Sequence, residues 1–206
     1  MKISIEGNIG SGKSTLISRL CQETRLPIFL EPVDEWKDWL SLFYQDPERW
    51  GMSFNINVLL SFNKWKANNF PAIYERSPIS NRFVFSQLQY EQDRMKLIEL
   101  KMFQNLYDQL AWTPDVIIYI KTNPEVSMQR MQTRGRDCES AVQLDYLKAI
   151  NNKYNDIFKY DTLEPKYMIK GSSECKIIHI DGNGTADEVY QSVLNSIRML
   201  NLTGNS

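Results

Sequence analysis

The run Gly7-Asn-Ile-Gly-Ser-Gly-Lys-Ser14 constrains this chain more than any other feature, because G-x-x-x-x-G-K-S is the phosphate-binding loop signature when it stands between a strand and a helix, and a chance match in a Gly-rich turn otherwise. Before it, Ile3 and Ile5 alternate as in a buried strand. After it, Leu16, Ile17 and Leu20 fall on one helical face. Glycines between a strand and a helix let the backbone turn tightly and approach a ligand. The N–H groups of the turn and the helix N-terminus then face an anion. The run therefore predicts that Gly7, Asn8, Ile9, Gly10, Ser11, Gly12, Lys13, Ser14 and Thr15 cradle the phosphates of ATP. Lys13 would reach the β/γ-phosphates, and the Ser14 hydroxyl would ligate Mg²⁺.

The rest of the pattern predicts a three-layer α/β fold around a five-stranded parallel sheet. Later strands are expected at 27–30, 71–74, 115–120 and 176–180, and helices at 36–44, 47–68, 80–91, 95–112, 124–132, 144–159 and 186–200. Ligands sit at the carboxyl ends of parallel strands, where Glu31 and the pair Glu75-Arg76 fall. On position alone Glu31 is a base or a solvated loop acid, and Glu75-Arg76 is a ligand-facing pair or a surface ion pair. Trp50, Phe54, Val58 and Phe62 form a helical stripe that is either core or pocket wall, with Asn55 and Asn57 able to read a planar ligand. Arg130, Arg134 and Arg136 close around Gly135 as a lid over phosphates or as a solvated basic face.

Bulk properties exclude several classes. The 206 residues suit one domain, 1–206, and the net charge of −1 favours neither a nucleic-acid nor an anionic-membrane partner. No apolar run is long enough to span a bilayer. Cys21, Cys138 and Cys175 are scattered and odd in number, against a disulfide framework or zinc site and in keeping with a reducing compartment. The chain opens directly on its first strand, which leaves no room for a signal peptide. A cytoplasmic protein is expected, in the host's cytoplasm if the source is viral. The lone His179 lies in an apolar strand run, so chemistry must rest on carboxylates, Lys and Arg.

Five motifs in order carry a resemblance: Glu6-Gly-Asn-Ile-Gly-Ser-Gly-Lys-Ser-Thr15, Glu31-Pro-Val-Asp-Glu-Trp36, Tyr44-Gln-Asp-Pro-Glu-Arg-Trp50, Glu75-Arg-Ser-Pro-Ile-Ser-Asn-Arg82, and Arg134-Gly-Arg-Asp-Cys-Glu139 followed by Leu144-Asp-Tyr-Leu147. Over residues 1–160 the chain resembles the deoxynucleoside kinases, the family of deoxycytidine kinase, deoxyguanosine kinase, mitochondrial thymidine kinase and the insect multisubstrate enzyme. The resemblance implies that Glu31 is the base for the nucleoside 5′-hydroxyl, that Arg76 pairs with it, and that Glu75 helps hold Mg²⁺. It implies that Arg134 and Arg136 bind the transferring phosphoryl group, with Arg130 near the donor nucleotide. Tyr44 and Glu139 would hold the sugar 3′-hydroxyl and Phe54 and Phe85 would sandwich the base, with Trp36, Leu40, Asn55, Val58, Phe62 and Asn81 completing the nucleoside site.

The chain departs from the family at the base. Asn55 stands where a Gln is usual, shorter by about 1.3 Å. Phe62 and Asn81 stand where deoxycytidine kinase has Arg and Asp, and Val58 matches the thymidine-using members. The resemblance thus implies a deoxynucleoside kinase for thymidine or another pyrimidine, acting in salvage as a homodimer. The rivals are a thymidylate kinase of the same fold and a non-catalytic nucleotide-binding relative.

Overall fold

A computed structural model of the chain describes residues 1–136, 139 and 142–202; Cys138, one of the three cysteines weighed above, lies outside the described residues. Strands β1 (Lys2–Gly7), β2 (Ile28–Phe29), β3 (Ala72–Glu75), β4 (Val116–Lys121) and β5 (Lys176–Asp181) form one sheet in the order β2-β3-β1-β4-β5. Every pairing is parallel, as the strand–helix alternation predicts. The helices are α1 (Lys13–Glu23), α2 (Lys37–Gln45), α3 (Pro47–Asn63), α4 (Pro78–Ser80), α5 (Gln87–Glu91), α6 (Leu97–Leu110), α7 (Pro124–Arg134), α8 (Leu144–Ile157) and α9 (Ala186–Leu202).

Strand alternation divides the core between two faces. Ile3, Ile5, Val116, Ile118 and Ile120 pack under Leu16, Ile17 and Leu20 of α1 and Val193 and Ile197 of α9. On the other face Ile117, Tyr119 and Ile177 pack against Ile150, Tyr154 and Ile157 of α8, with Val84 and Leu88 beside them. The sheet is thereby covered on both sides, as a parallel sheet requires.

Three elements differ from expectation, each for a local reason. The strand expected at 27–30 shortens to Ile28–Phe29 at the sheet edge; Pro27 has no N–H for the ladder, although its carbonyl accepts from Ile73. The helix expected to reach residue 68 stops at Asn63. The Trp112 indole N–H donates to the Phe62 carbonyl at 2.9 Å, and the Asn63 amide donates to the Leu110 carbonyl at 2.8 Å. The indole thus competes for a carbonyl that another helical turn would use, the Asn63 side chain ties the helix end to α6, and tight turns carry the chain onward. The helix expected at 80–91 widens into a π-helical turn, Asn81–Ser86, between α4 and α5. The Ser86 hydroxyl donates to the Asn81 carbonyl at 2.7 Å across that turn. Such turns are frequent at functional sites because they re-aim side chains, and this one carries Asn81 and Phe85.

Candidate active site

The glycine-rich turn joins β1 to α1 as predicted. Gly10 has φ +75°, and a Cβ there would stand 2.2 Å from the Ser127 carbonyl oxygen of α7, so no side chain fits. Asn8 is buried and acts as a staple: its amide donates to the Leu147 carbonyl of α8 at 2.8 Å, and its oxygen accepts from the Ile9 N–H. The Lys13 ammonium folds into the turn, donating to the carbonyls of Gly7 at 3.0 Å and Asn8 at 2.7 Å. Burial first, then the Arg76 guanidinium, depresses its pKa to about 7.

The carboxyl ends of β1, β3 and β2 bring four further groups together. The Ser14 hydroxyl donates to Glu75 Oε1 at 2.9 Å, and the Glu31 N–H donates to Glu75 Oε2 at 3.3 Å. Arg76 Nη1 meets Glu31 Oε2 at 2.5 Å, both side chains being about nine-tenths buried. Burial pushes the Glu31 carboxyl above its usual pKa, and Arg76 draws it partly back. Burial opposes the charge on Arg76, yet Glu31 beside it holds the guanidinium protonated.

These groups floor a cleft with about 880 Å³ of free space, open mouth included. Phe54 and Phe85 stand in its walls, Phe54 stacked on Phe43 with centroids 5.5 Å apart and Phe85 with its ring 5.3 Å from the Arg76 guanidinium. Asn55, Val58, Asn81 and Gln89 form an uncharged wall. The Asn55 amide donates to the Gly51 carbonyl at 2.8 Å, and its oxygen accepts from Asn81 Nδ2 at 3.0 Å. Asn81 Oδ1 and Gln89 Oε1 are buried acceptors without a donor, each costing about 1–3 kcal/mol unless something supplies one. At the mouth Glu139 accepts from Arg134 Nη2 at 2.5 Å and lies 3.5 Å from Arg136 Nη1. Gly135, at φ +64°, ends α7 and turns Arg136 back toward the cleft.

The deoxynucleoside kinase family model matches residues 3–200. The chain belongs to the deoxynucleoside kinase family. Protein 029R of Invertebrate iridescent virus 3, which carries a provisional kinase name, is 34% identical over 181 residues, covering 85% of this chain and 91% of that protein. Human deoxycytidine kinase is 28% identical and covers 96% of this chain and 89% of its own. A deoxyadenosine kinase from M. mycoides, solved with dCMP and dCDP, has the same fold, with a TM-score of 0.82 over 97% of this chain and all of its own at 20% identity. Membership makes the protein an ATP-dependent kinase.

In this kinase the cleft gathers Ile9, Gly10, Lys13, Ser14, Glu31, Trp36, Leu40, Tyr44, Glu75 and Arg76 with the wall and mouth residues just described. Phe62 is an exception. Only 1% exposed, it packs behind Trp36 and Val58 and does not reach the cleft, because the last turn of α3 faces the core. Arg130 is committed elsewhere: it donates to the Gly182 and Gly184 carbonyls at 2.8 and 2.7 Å, pinning the turn before α9 over the Gly12 side of the loop. Asn8 contributes structure through its side chain, Thr15 is exposed, and His179 lies on β5 against the Tyr160 carbonyl. Sequence reading passed over Gln89, which no motif marks, and Tyr146, which lies inside a quoted motif.

The Lys13 environment predicts a proton effect. At pH 8 the free kinase holds this amine mostly neutral, whereas a polyphosphate beside it restores the ammonium. ATP binding at pH 8 should take up approaching one proton, seen as a calorimetric enthalpy that changes with the buffer's ionisation enthalpy. A buffer-independent enthalpy would contradict it. Unfolding has the matching sign: the unfolded chain keeps this proton up to about 10.5, so the group favours the folded state more as pH rises from about 7.

Proposed function

We propose that the protein transfers the γ-phosphoryl group of ATP to the 5′-hydroxyl of a deoxynucleoside, with thymidine or another pyrimidine preferred, in nucleotide salvage. The observation that carries this reading is the buried Glu31–Arg76 pair, which lines one cleft together with Lys13, Phe54 and Phe85. Glu31 accepts the hydroxyl proton while Arg76 keeps its carboxylate oriented. Lys13, Arg134 and Arg136 neutralise the transferring phosphoryl group, so catalysis is chiefly positioning and charge compensation. Release of Arg134 and Arg136 from Glu139 frees all three, Glu139 turning with Tyr44 to the sugar 3′-hydroxyl.

Magnesium takes oxygen ligands and is held by one or two protein groups beside substrate phosphates. The Ser14 hydroxyl and the Glu75 carboxylate form such a set, and among the described residues no cluster of three or more His, Cys, Asp or Glu could hold a metal. These two residues would hold Mg²⁺ brought with ATP, which would supply further charge neutralisation. The uncharged wall with Val58 favours a neutral pyrimidine, and a base N–H satisfies the Asn81 acceptor. The resemblance implies a homodimer formed through helices; α6 exposes Leu97, Ile98 and Met102 toward solvent. No helix among the described residues is long and apolar enough to cross a membrane, and we read the kinase as acting in the cytoplasm.

The test is a panel of deoxynucleosides and deoxynucleoside monophosphates assayed with ATP and Mg²⁺. Thymidine or deoxycytidine should be converted at least about 10-fold more efficiently than the purines, a discrimination of the size one pocket contact supplies. Preference for thymidine monophosphate over thymidine would point instead to a thymidylate kinase, and nucleotide binding without turnover to a non-catalytic relative.

A further inference from the structure

Behind Arg76, on the sheet face away from α1, lies a second buried carboxylate. Ser4 and Glu6 share that face because they alternate with Ile3 and Ile5. Glu6 is fully buried. Its Oε1 accepts from the hydroxyls of Ser77 at 2.6 Å and Ser4 at 3.0 Å, and its Oε2 accepts from the Tyr154 phenol at 3.3 Å. The phenol oxygen in turn accepts from Arg76 Nε at 3.2 Å. A guanidinium carries only donors, so the phenol must turn a lone pair to Arg76, which leaves its proton to be donated to Glu6.

The same guanidinium gives Nη1 to Glu31 and Nη2 to the Gly7 carbonyl at 3.2 Å. Its three nitrogens are thus all held, which leaves one orientation for a rigid plane. The backbone of Arg76 has φ +59°, an arrangement that non-glycine residues keep only where their surroundings impose it. Glu6 and Tyr154 do not line the cleft. A buried carboxyl needs compensation that an apolar residue would not, and burial does push the Glu6 pKa up, with Ser77 tempering the rise. The group that makes use of this compensation is Arg76.

We infer that Glu6 and Tyr154 are positioning residues, which through Arg76 set the angle at which the Glu31 carboxylate meets the acceptor hydroxyl. The inference rests on the phosphotransfer reading above. Without the phenol the guanidinium keeps two anchors and can tilt, carrying Glu31 with it. Displacements near 1 Å in a reacting geometry can cost about 100-fold in rate, so a partial tilt should cost about 10-fold.

Tyr154→Phe tests this while keeping the ring stacked on Tyr119 at 5.7 Å. We expect kcat to fall about 10-fold with both KM values within about 2-fold, the signature of a lost transition-state alignment. Glu6→Gln, which keeps the size of the side chain and removes its acid function, should act in the same direction. The decisive measurement is a double-mutant cycle. Arg76→Lys has no Nε–H, so Tyr154→Phe should add no further loss in that background. Wild-type turnover in Tyr154→Phe, or an undiminished penalty in the Arg76→Lys background, would overturn the inference. An inactive parent protein would overturn phosphotransfer itself. The relay would still be read by hydrogen exchange at Arg76 Nε–H, which should be faster by about 10-fold or more in Tyr154→Phe; unchanged exchange refutes it.

Discussion

Glu31→Gln should lower kcat by about 10²- to 10⁴-fold, the range for loss of a positioned general base. Glutamine keeps the volume of the side chain and an oxygen to accept from Arg76, but it cannot take a proton. Arg76 retains its bonds to the Gly7 carbonyl and Tyr154, so the cleft should keep its shape and the nucleoside KM should change by less than about 10-fold. Burial raises the carboxyl pKa and Arg76 opposes the rise, which leaves the group more basic than a surface glutamate. Steady-state kinetics with a thermal melt decide the matter. A folded variant with near-normal turnover would remove Glu31 from the role of base.

What was legible in the sequence follows how local the signals are. The loop from Gly7 to Ser14, Glu31 after β2 and Glu75-Arg76 after β3 are short motifs at strand ends, and a parallel sheet brings such ends together without further information. The five strands were legible because their apolar runs are bounded by turn signals. Contacts between distant elements were not. Nothing near Phe62 says that the end of α3 turns toward Trp36 and Trp65. Nothing near Asn55 says that both ends of its amide are engaged by Gly51 and Asn81, so its expected bond to the base competes with bonds already made. Gly51 is a similar case. A Cβ there would lie 2.4 Å from Gln89 Oε1, so a glycine inside a helix makes room for a side chain of α5. Glu6 and Tyr154 are 148 residues apart, and only the alternation of β1 under α8 joins them.

Gly10→Ala should cost about 3 kcal/mol of stability, combining about 1–2 for a left-handed backbone with a side chain and about 1–3 for overpacking. For a chain of this length that lowers Tm by about 6–12 °C. The new methyl group would stand 2.2 Å from the Ser127 carbonyl oxygen and 3.0 Å from its carbon, both backbone atoms of α7 that cannot swing aside as a side chain would. Gly12→Ala separates the two contributions. Gly12 is also left-handed, at φ +91°, but its nearest neighbour would be Arg130 Nη1 at 4.0 Å, so this substitution carries the backbone cost without the clash. Melting both variants without nucleotide keeps any change in ATP affinity out of the comparison. If Gly10→Ala melts within about 2 °C of Gly12→Ala, the contact between loop and α7 is looser than the geometry indicates. In that case α7, and with it Arg134 at its end, is not held by the phosphate loop.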